Sequence, residues 1–554
     1  MKKVFLLLIL SSISLLSYTQ DIDKAAIDKI FSEWDTPTSP GCALGVFMDG
    51  ELVYGKGYGQ ANLEYGIPND ANSVFRIGST SKQFTAACIV LLAERGELSL
   101  DNTLDQYFPD FPDYAKRITI RHLLNHTSGI RDYLMLAYLK GLRNDDYYED
   151  ADLMRWVVNQ EDLNFEPGAE FLYSNSGYWL LGQIVNEVAG MNMAEFAKQE
   201  IFQPLGMSST HFHNDHNRIV KNRASGYRPA GENEYVISMT TLNMIGDGGI
   251  FTSINDIKKW DDAYYDRSVL SDDFWAMMTK QGKLNDGEVI EYAAGLFIDE
   301  YNDLPTISHG GAFVGFRAEL LRFPEQKVSI AIFTNRADAN PSSMAEQVAD
   351  VVLLDLFVDV DSGDEEVPNT APKIDPDQEA YPLEQLTGEY EVEPGVVVEI
   401  SIEEDSIHVL QTWNNSAYNL ARIGGNTFQI PGESSINFSF QELKDGHTQQ
   451  LLVDQGGNVT TCQRKEEVDV SGIDINEFAG NYYSKELDET YYISMVDEAL
   501  QVRIRYNDPL TLELVNIDQL AVSGYLLRFE RKNGKISGFE LDAGRVKNLR
   551  FERR

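Results

Sequence analysis

Three short clusters in this sequence carry side chains able to open a carbonyl. The first is Ser79-Thr80-Ser81-Lys82. A serine hydroxyl is a weak nucleophile until a base takes its proton, and a lysine desolvated enough to lose its charge is such a base. Phe84, Ala87, Cys88, Leu91 and Leu92 recur at helical spacing over residues 81–94, and Gly96 is a natural stop. Ser79 is therefore expected at a helix N-terminus, where the positive dipole end favours an oxyanion. Lys82 falls on the same face one turn along. Taken alone, such a tetrad also reads as a serine cap beside a solvated lysine.

The second cluster, Tyr173-Ser174-Asn175, follows Phe171 and precedes a helical pattern over 179–188 with Gly190 beyond it. A phenol near an ammonium can relay a proton to a leaving group, and an asparagine can bind a substrate amide or orient Lys82. By itself the tripeptide is an ordinary loop sequence. The third cluster is His309-Gly310-Gly311-Ala312, just before a hairpin pattern over 317–322 and 328–333. It is expected on a strand lining the site. Its glycines would let a substrate backbone approach closely, and the Ala312 N–H would pair with that of Ser79 as an oxyanion hole.

The elements that must bring these clusters together come from both ends of one domain. Residues 43–48 and 52–54 flank Asp49-Gly50, a strong two-residue hairpin signal. Ser253 with Asp256 opens a further helix as a capping-box variant. Strands at both ends with helices between predict an α/β class: an antiparallel sheet flanked by helices, over residues 20–360. Residues 361–381 carry Asp361-Ser362-Gly363-Asp364-Glu365-Glu366 and then Pro368, Pro372 and Pro376, the composition of an exposed acidic linker. Beyond it strand-like alternation takes over. Leu386-Thr387-Gly388-Glu389-Tyr390 resembles Phe478-Ala479-Gly480-Asn481-Tyr482, so two all-β, barrel-like modules are expected, 382–467 and 468–554.

The chain has 554 residues, which favours two or three domains, and its 43% hydrophobic and 24% charged content is ordinary for globular protein. A net charge of −41 argues against nucleic acid and against anionic membrane surfaces as partners. Three widely spaced cysteines suggest neither a disulfide framework nor a zinc site, although a Cys42–Cys88 bond stays open. Met1-Lys2-Lys3, an apolar run over 4–16 and Ser17-Tyr18-Thr19 have the pattern of a secretory signal peptide, residues 1–19. Export to the periplasm or medium is expected, with no membrane anchor after cleavage. His211, His213 and His216 lack the helical spacing of zinc hydrolases and are expected as a polar loop near the site rim, so no metal is assigned. His122 and His126 are expected as packing residues.

Together the three clusters resemble the active-site set of the serine β-lactamase and penicillin-binding-protein superfamily. Their order and the Tyr-x-Asn form resemble the class C β-lactamase and D-alanyl-D-alanine carboxypeptidase branch. So do residues 118–130, with His122 and His126, and residues 246–253, Gly246-Asp247-Gly248-Gly249-Ile250-Phe251-Thr252-Ser253. The resemblance covers most of residues 25–355. It implies an α/β fold, an antiparallel sheet flanked by helices plus an all-helical subdomain with Ser79 between them, and acyl transfer through a covalent acyl-enzyme, then hydrolysis, with no cofactor. Ser79 would be the nucleophile, Lys82 its base and Tyr173 the proton shuttle; Asn175, His309, Gly311 and Ala312 would bind substrate. One departure stands out. β-Lactamases of this branch usually carry Lys-Thr-Gly where this chain has His309-Gly310-Gly311, so a fixed cation for a β-lactam carboxylate is missing unless His309 is protonated. That favours peptidases and esterases, and the domain plan resembles D-aminopeptidases, which follow a similar domain with two β-barrels. A hydrolase of peptides containing D-amino acids is the leading expectation. A carboxylesterase, and a catalytically silent binding or scaffold protein, are the alternatives.

Overall fold

The computed structural model describes residues 22–143, 146–231, 233–354, 356–357 and 380–554, apart from 394, 404–405, 413–415, 432, 456–457, 466–467, 469 and 471. Residues 1–19 and all but the last two residues of the expected linker lie outside the described residues. Cys42–Met48 and Glu51–Tyr58 join through the Asp49-Gly50 turn and occupy one side of a six-stranded sheet. The late strands Val328–Thr334, Phe316–Phe323, Leu304–Phe313 and Phe297–Tyr301 follow in that spatial order, every pairing antiparallel.

Side-chain alternation divides the apolar core between the two faces of this sheet. Cys42, Leu44 and Val46 pack with Ile27, Phe31 and Val348 of the terminal helices Lys24–Ile30 and Pro341–Val352 and their ends. Ala43 and Phe47 face the other cluster, which contains the helix Lys82–Glu94. Every residue from Lys82 to Leu92 of that helix is buried. A helix without a solvent face must be enclosed by its neighbours, and this one carries a lysine in with it. Cys42 and Cys88 belong to the two different clusters, and all three thiols are free, so the disulfide left open by the sequence is not formed.

The C-terminal part forms two closed eight-stranded barrels, with strands from Gly388 to Arg464 and from Gly480 to Arg553. Each closes on the repeated tyrosine: Tyr390 pairs with Arg464 and Tyr482 with Arg553 across the first and last strands. The Tyr390 hydroxyl donates to Leu386 O at 2.8 Å, and the Tyr482 hydroxyl to Phe478 O at 2.7 Å. The weak sequence repeat is thus a repeated closure device. Among the described residues, no helix is long and apolar enough to cross a membrane.

Candidate active site

Ser79 lies in a single 3-10 turn, Gly78–Ser81, and the α-helix proper begins at Lys82. The start is tighter than the α-helical one expected, because the turn is wedged against two strands. Thr80 Oγ1 donates to His309 O at 3.0 Å, and Ser81 Oγ accepts from Ile250 N at 3.0 Å. Gly78 has a φ of +52°, and a β-carbon there would stand 2.8 Å from the Ala312 nitrogen. One on Gly311 would stand 2.0 Å from Ile77 O, so only glycines allow turn and strand this close. The Ser79 turn and the Gly311-Ala312 backbone thereby share one edge of the site.

Lys82 is fully buried, and its ammonium nitrogen has three polar neighbours: Asn175 Oδ1 at 2.8 Å, Asp247 O at 2.6 Å and Ser79 Oγ at 3.3 Å. The first two are carbonyl oxygens and can only accept. They occupy two N–H bonds and aim the remaining position at Ser79. In a neutral amine that position is the lone pair. Burial pulls Lys82 down to about 8, against the opposing pull of Asp247 and Asp132. Asn175 is the first residue of the helix Asn175–Ala189, capped by Ser174, so the tripeptide is a helix start. Its amide orientation is set by Asp132, whose Oδ2 accepts from Asn175 N at 2.7 Å and Asn175 Nδ2 at 2.8 Å. A carboxylate accepts only, so the other amide end must present its oxygen to Lys82.

The Tyr173 hydroxyl is buried beside Ser79 and makes no hydrogen bond of normal geometry among the described residues. Burial pushes its pKa well above the ordinary phenol value, so the proton stays on oxygen. The ring is gripped by His126, 4.1 Å away between centroids, whose Nδ1 accepts from Ser174 N at 3.1 Å. His122 instead caps the short helix Ile120–Leu124 by exchanging bonds with Thr119. His309 is buried too. Its Nδ1 donates to Gly310 O at 2.6 Å, and its Nε2 accepts from the Tyr292 hydroxyl at 2.9 Å. Burial and the Lys82 charge lower it to about 3, so His309 is neutral and supplies no cation.

Ser79, Tyr173, Asn175, His309, Gly311 and Ala312 all line one cavity of about 700 Å³, and Lys82 touches Ser79 from behind it. The expected site residues are therefore brought together. Sequence reasoning missed four groups around them. Asp132 holds Asn175; Tyr133 donates to Asp247 Oδ2 at 2.8 Å; Tyr292 holds His309; and Arg545 enters from the second barrel. Asp132 and Tyr133 lie just beyond the 118–130 segment, after Arg131, which was the one available signal. Nothing local distinguishes Arg545 from any other arginine of the barrels. The cavity also holds Glu319, which burial raises to about 7 and Ser342 contacts at 2.5 Å. Only part of the His211 segment is a loop: His211–Phe212 is a short strand paired with Ile250–Thr252, residues 213–215 have no regular structure, and His211 lines a different cavity. Edge pairing with Phe251 draws it into the core.

The beta-lactamase family profile matches residues 27–353, more than half of the chain. The chain belongs to the beta-lactamase family, within the superfamily of serine hydrolases that includes penicillin-binding proteins. It is 29% identical over 388 residues to penicillin-binding protein 4* of Bacillus subtilis (strain 168), covering 65% of this chain and 81% of that one. It is 27% identical over 310 residues to a D-aminopeptidase of Gluconobacter oxydans (strain 621H), covering 56% of this chain and 58% of that one. The chain thus spans a little over half the length of that D-aminopeptidase. The octameric penicillin-binding protein homologue from Pyrococcus abyssi shares the fold, with a TM-score of 0.57 at 23% identity over 80% of this chain and 99% of that one.

Proposed function

We propose that this chain is an exported serine hydrolase that cleaves amide or ester bonds through a covalent acyl-enzyme, acting on peptides that contain D-amino acids. The observation that carries the reading is the Lys82 nitrogen, fixed by two carbonyl oxygens so that its remaining position faces Ser79 Oγ at 3.3 Å. In the neutral form Lys82 takes the Ser79 proton as Oγ attacks the substrate carbonyl carbon. The negative charge on the former carbonyl oxygen is met by the N–H groups of Ser79 and Ala312. The carbon–nitrogen or carbon–oxygen bond then breaks, and the leaving atom takes the Tyr173 proton. The Lys82 ammonium returns a proton to Tyr173. Water attacks the Ser79 ester with the same groups in reverse, releasing the acid and the free serine. Asn175, His309 and Gly311 hold the substrate backbone against the Leu304–Phe313 strand. The D-peptide assignment draws support from the D-aminopeptidase and penicillin-binding relatives.

Intact mass after incubation with a fluorophosphonate, and separately with a penicillin, tests this in wild type and Ser79→Ala. A single fluorophosphonate adduct that disappears in the variant is the expected result. Folded wild-type protein with no adduct from either reagent would overturn the reading and leave the barrels as a binding platform. Release of free D-amino acids from short D-peptides, set against hydrolysis of simple esters, separates the peptidase from the carboxylesterase.

A further inference from the structure

The strand beside the nucleophile carries no cation, because His309 is neutral. Its partner strand supplies the opposite charge. Glu319 of Phe316–Phe323 stands directly across from Gly310 and lines the Ser79 cavity. It is 4% exposed. Ser342 Oγ donates to its Oε2 at 2.5 Å, and among the described residues its Oε1 has no hydrogen-bond partner. A buried carboxyl oxygen costs free energy unless a donor reaches it. Gly310 gives the carboxyl its opening, since a β-carbon there would stand 3.0 Å from Oε2. A second carboxyl, Glu346 of the Pro341–Val352 helix, lines the same cavity, and its charge adds to burial in raising Glu319. Asp350, one turn further along that helix, acts in the same way on Glu346.

The cations of the cavity lie toward its other end. Arg317 is across from Ala312, and its Nη1 donates to Val314 O and Phe316 O. Arg76 stacks on Phe313 at 5.0 Å. Arg545 lies over the Tyr173 ring at 4.7 Å and stands 3.7 Å from Asp132 Oδ2. With Arg317 it borders a neighbouring cavity beside Phe313 and Val314. Arginines close by in the chain are paired as well, Arg322 with Asp261 and Arg336 with Asp338. The third acid of the lining, Asp247, takes the Tyr133 hydroxyl. The cavity is therefore divided in charge along the Leu304–Phe313 strand, with arginines around Ala312 and Phe313 and carboxyls around Gly310.

The direction of bond breaking gives the carboxyl end a role. In the proposed mechanism the oxyanion sits at the Ala312 N–H and the leaving atom takes the Tyr173 proton. The Tyr173 ring stands 6.3 Å from the His309 ring between centres, so the leaving group departs toward His309 and Gly310. We infer that Glu319, with Glu346 beside it, binds an ammonium carried by the leaving group, so that the Ser79 site cuts bonds followed by a cationic chain. This rests on the serine-hydrolase reading and narrows it. It concerns a charge beyond the cut bond, whereas a free α-amino end would lie on the acyl side. An ammonium suits the place because it brings only donors, one of them for Glu319 Oε1, in bonds strengthened by charge.

The test is protection of Ser79 from fluorophosphonate labelling at pH 8, above the Glu319 value of about 7. The probes are acetyl-D-alanyl amides of short α,ω-diaminoalkanes of graded length, each set against the alkyl amide of equal length. The best-fitting amine is expected to protect wild type at a concentration about 10- to 100-fold lower than its alkyl partner does, the span of a charge-assisted bond. In Glu319→Gln that advantage should collapse toward parity, and Glu346→Gln should reduce it in part. Parity of every amine with its alkyl partner in wild type, protection by no probe, or an advantage that survives Glu319→Gln would each overturn the inference while Ser79 is still labelled. Absence of labelling in wild type would instead sink the serine-hydrolase reading itself.

Discussion

The two barrels share a strand count, a closing tyrosine–arginine pair and a turn-rich sequence, yet they stand in different relations to the hydrolase domain. The interior of the second barrel, from Phe478 to Phe551, belongs to the same continuous apolar cluster as the helix behind Ser79. The interior of the first, from Leu386 to Cys462, is a cluster of its own. The second is bolted on by Arg131, whose side chain is fully buried. It binds Glu486 Oε2 at 2.6 Å, Asp162 O at 2.6 Å and Lys547 O at 3.0 Å. Tyr491 adds a bond to Leu139 O at 2.8 Å. The first barrel meets the second near Gly395 and Gly524, whose added β-carbons would touch Ala521 and Glu393. A duplicated module can thus keep its architecture in both copies and acquire a place in the site in only one.

The largest expected effect that would break this contrast comes from Arg131→Met. Stripping a buried ion pair of one partner costs about 3 kcal/mol or more, and the loss should appear in both the melting temperature and Ser79 labelling. Burial raises Glu486 to about 7, above its ordinary value, and the unpaired carboxyl in the variant rises further. A carboxyl raised in the folded state favours folding while protonated and opposes it as pH climbs through the folded value. The deficit of Arg131→Met should therefore be greater at pH 8 than at pH 5.5, which differential scanning calorimetry reads directly. Arg131→Met with Glu486→Leu should recover part of it. A pH-independent deficit would mean that the pair does not anchor the barrel.

A smaller effect separates the two closures. Tyr390→Phe removes bonds to Leu386 O and Thr448 Oγ1, the latter at 2.6 Å, whereas Tyr482→Phe removes the bond to Phe478 O. Each bond is worth about 1 kcal/mol net, so the first variant should cost its barrel more. Hydrogen exchange should show that cost confined to the first barrel, with turnover intact. The smaller cost of Tyr482→Phe should spread into the hydrolase domain through the shared core. Equal spread from both would dissolve the distinction.

The finest test is kinetic. Burial sets Lys82 near 8, and the Arg545 charge contributes to holding it down. Arg545→Gln should move the acid limb of fluorophosphonate labelling upward in pH, since the ammonium is then less opposed. Substitutions in the first barrel should leave the limb where it is.

The contrast also marks what the sequence could reveal. Ser79-x-x-Lys82, Tyr173-x-Asn175 and His309-x-Gly311 were legible because each is a local pattern whose chemistry needs neighbours on one turn or strand. The barrels were legible through alternation and the Tyr390/Tyr482 repeat. The 3-10 turn at Ser79 was not, because it follows from the contact of Thr80 with His309 across the fold. The grip of His126 on Tyr173 and of Asp132 on Asn175 is likewise tertiary. The asymmetry between barrels, and with it Arg545, leaves no periodicity or spacing to read; it exists only once two distant surfaces have docked.

The position of Arg545 in the chain also sets an order of assembly. A ribosome emits Ser79, Lys82, Tyr173, Asn175 and His309 first, then the first barrel and all but the last strand of the second, and only then the arginine in the cavity wall. A growing or prematurely released chain can carry every motif of the hydrolase and still lack one side of its pocket. The pocket is completed only after all the hydrolase motifs have been made, a delay built into the order of the residues themselves.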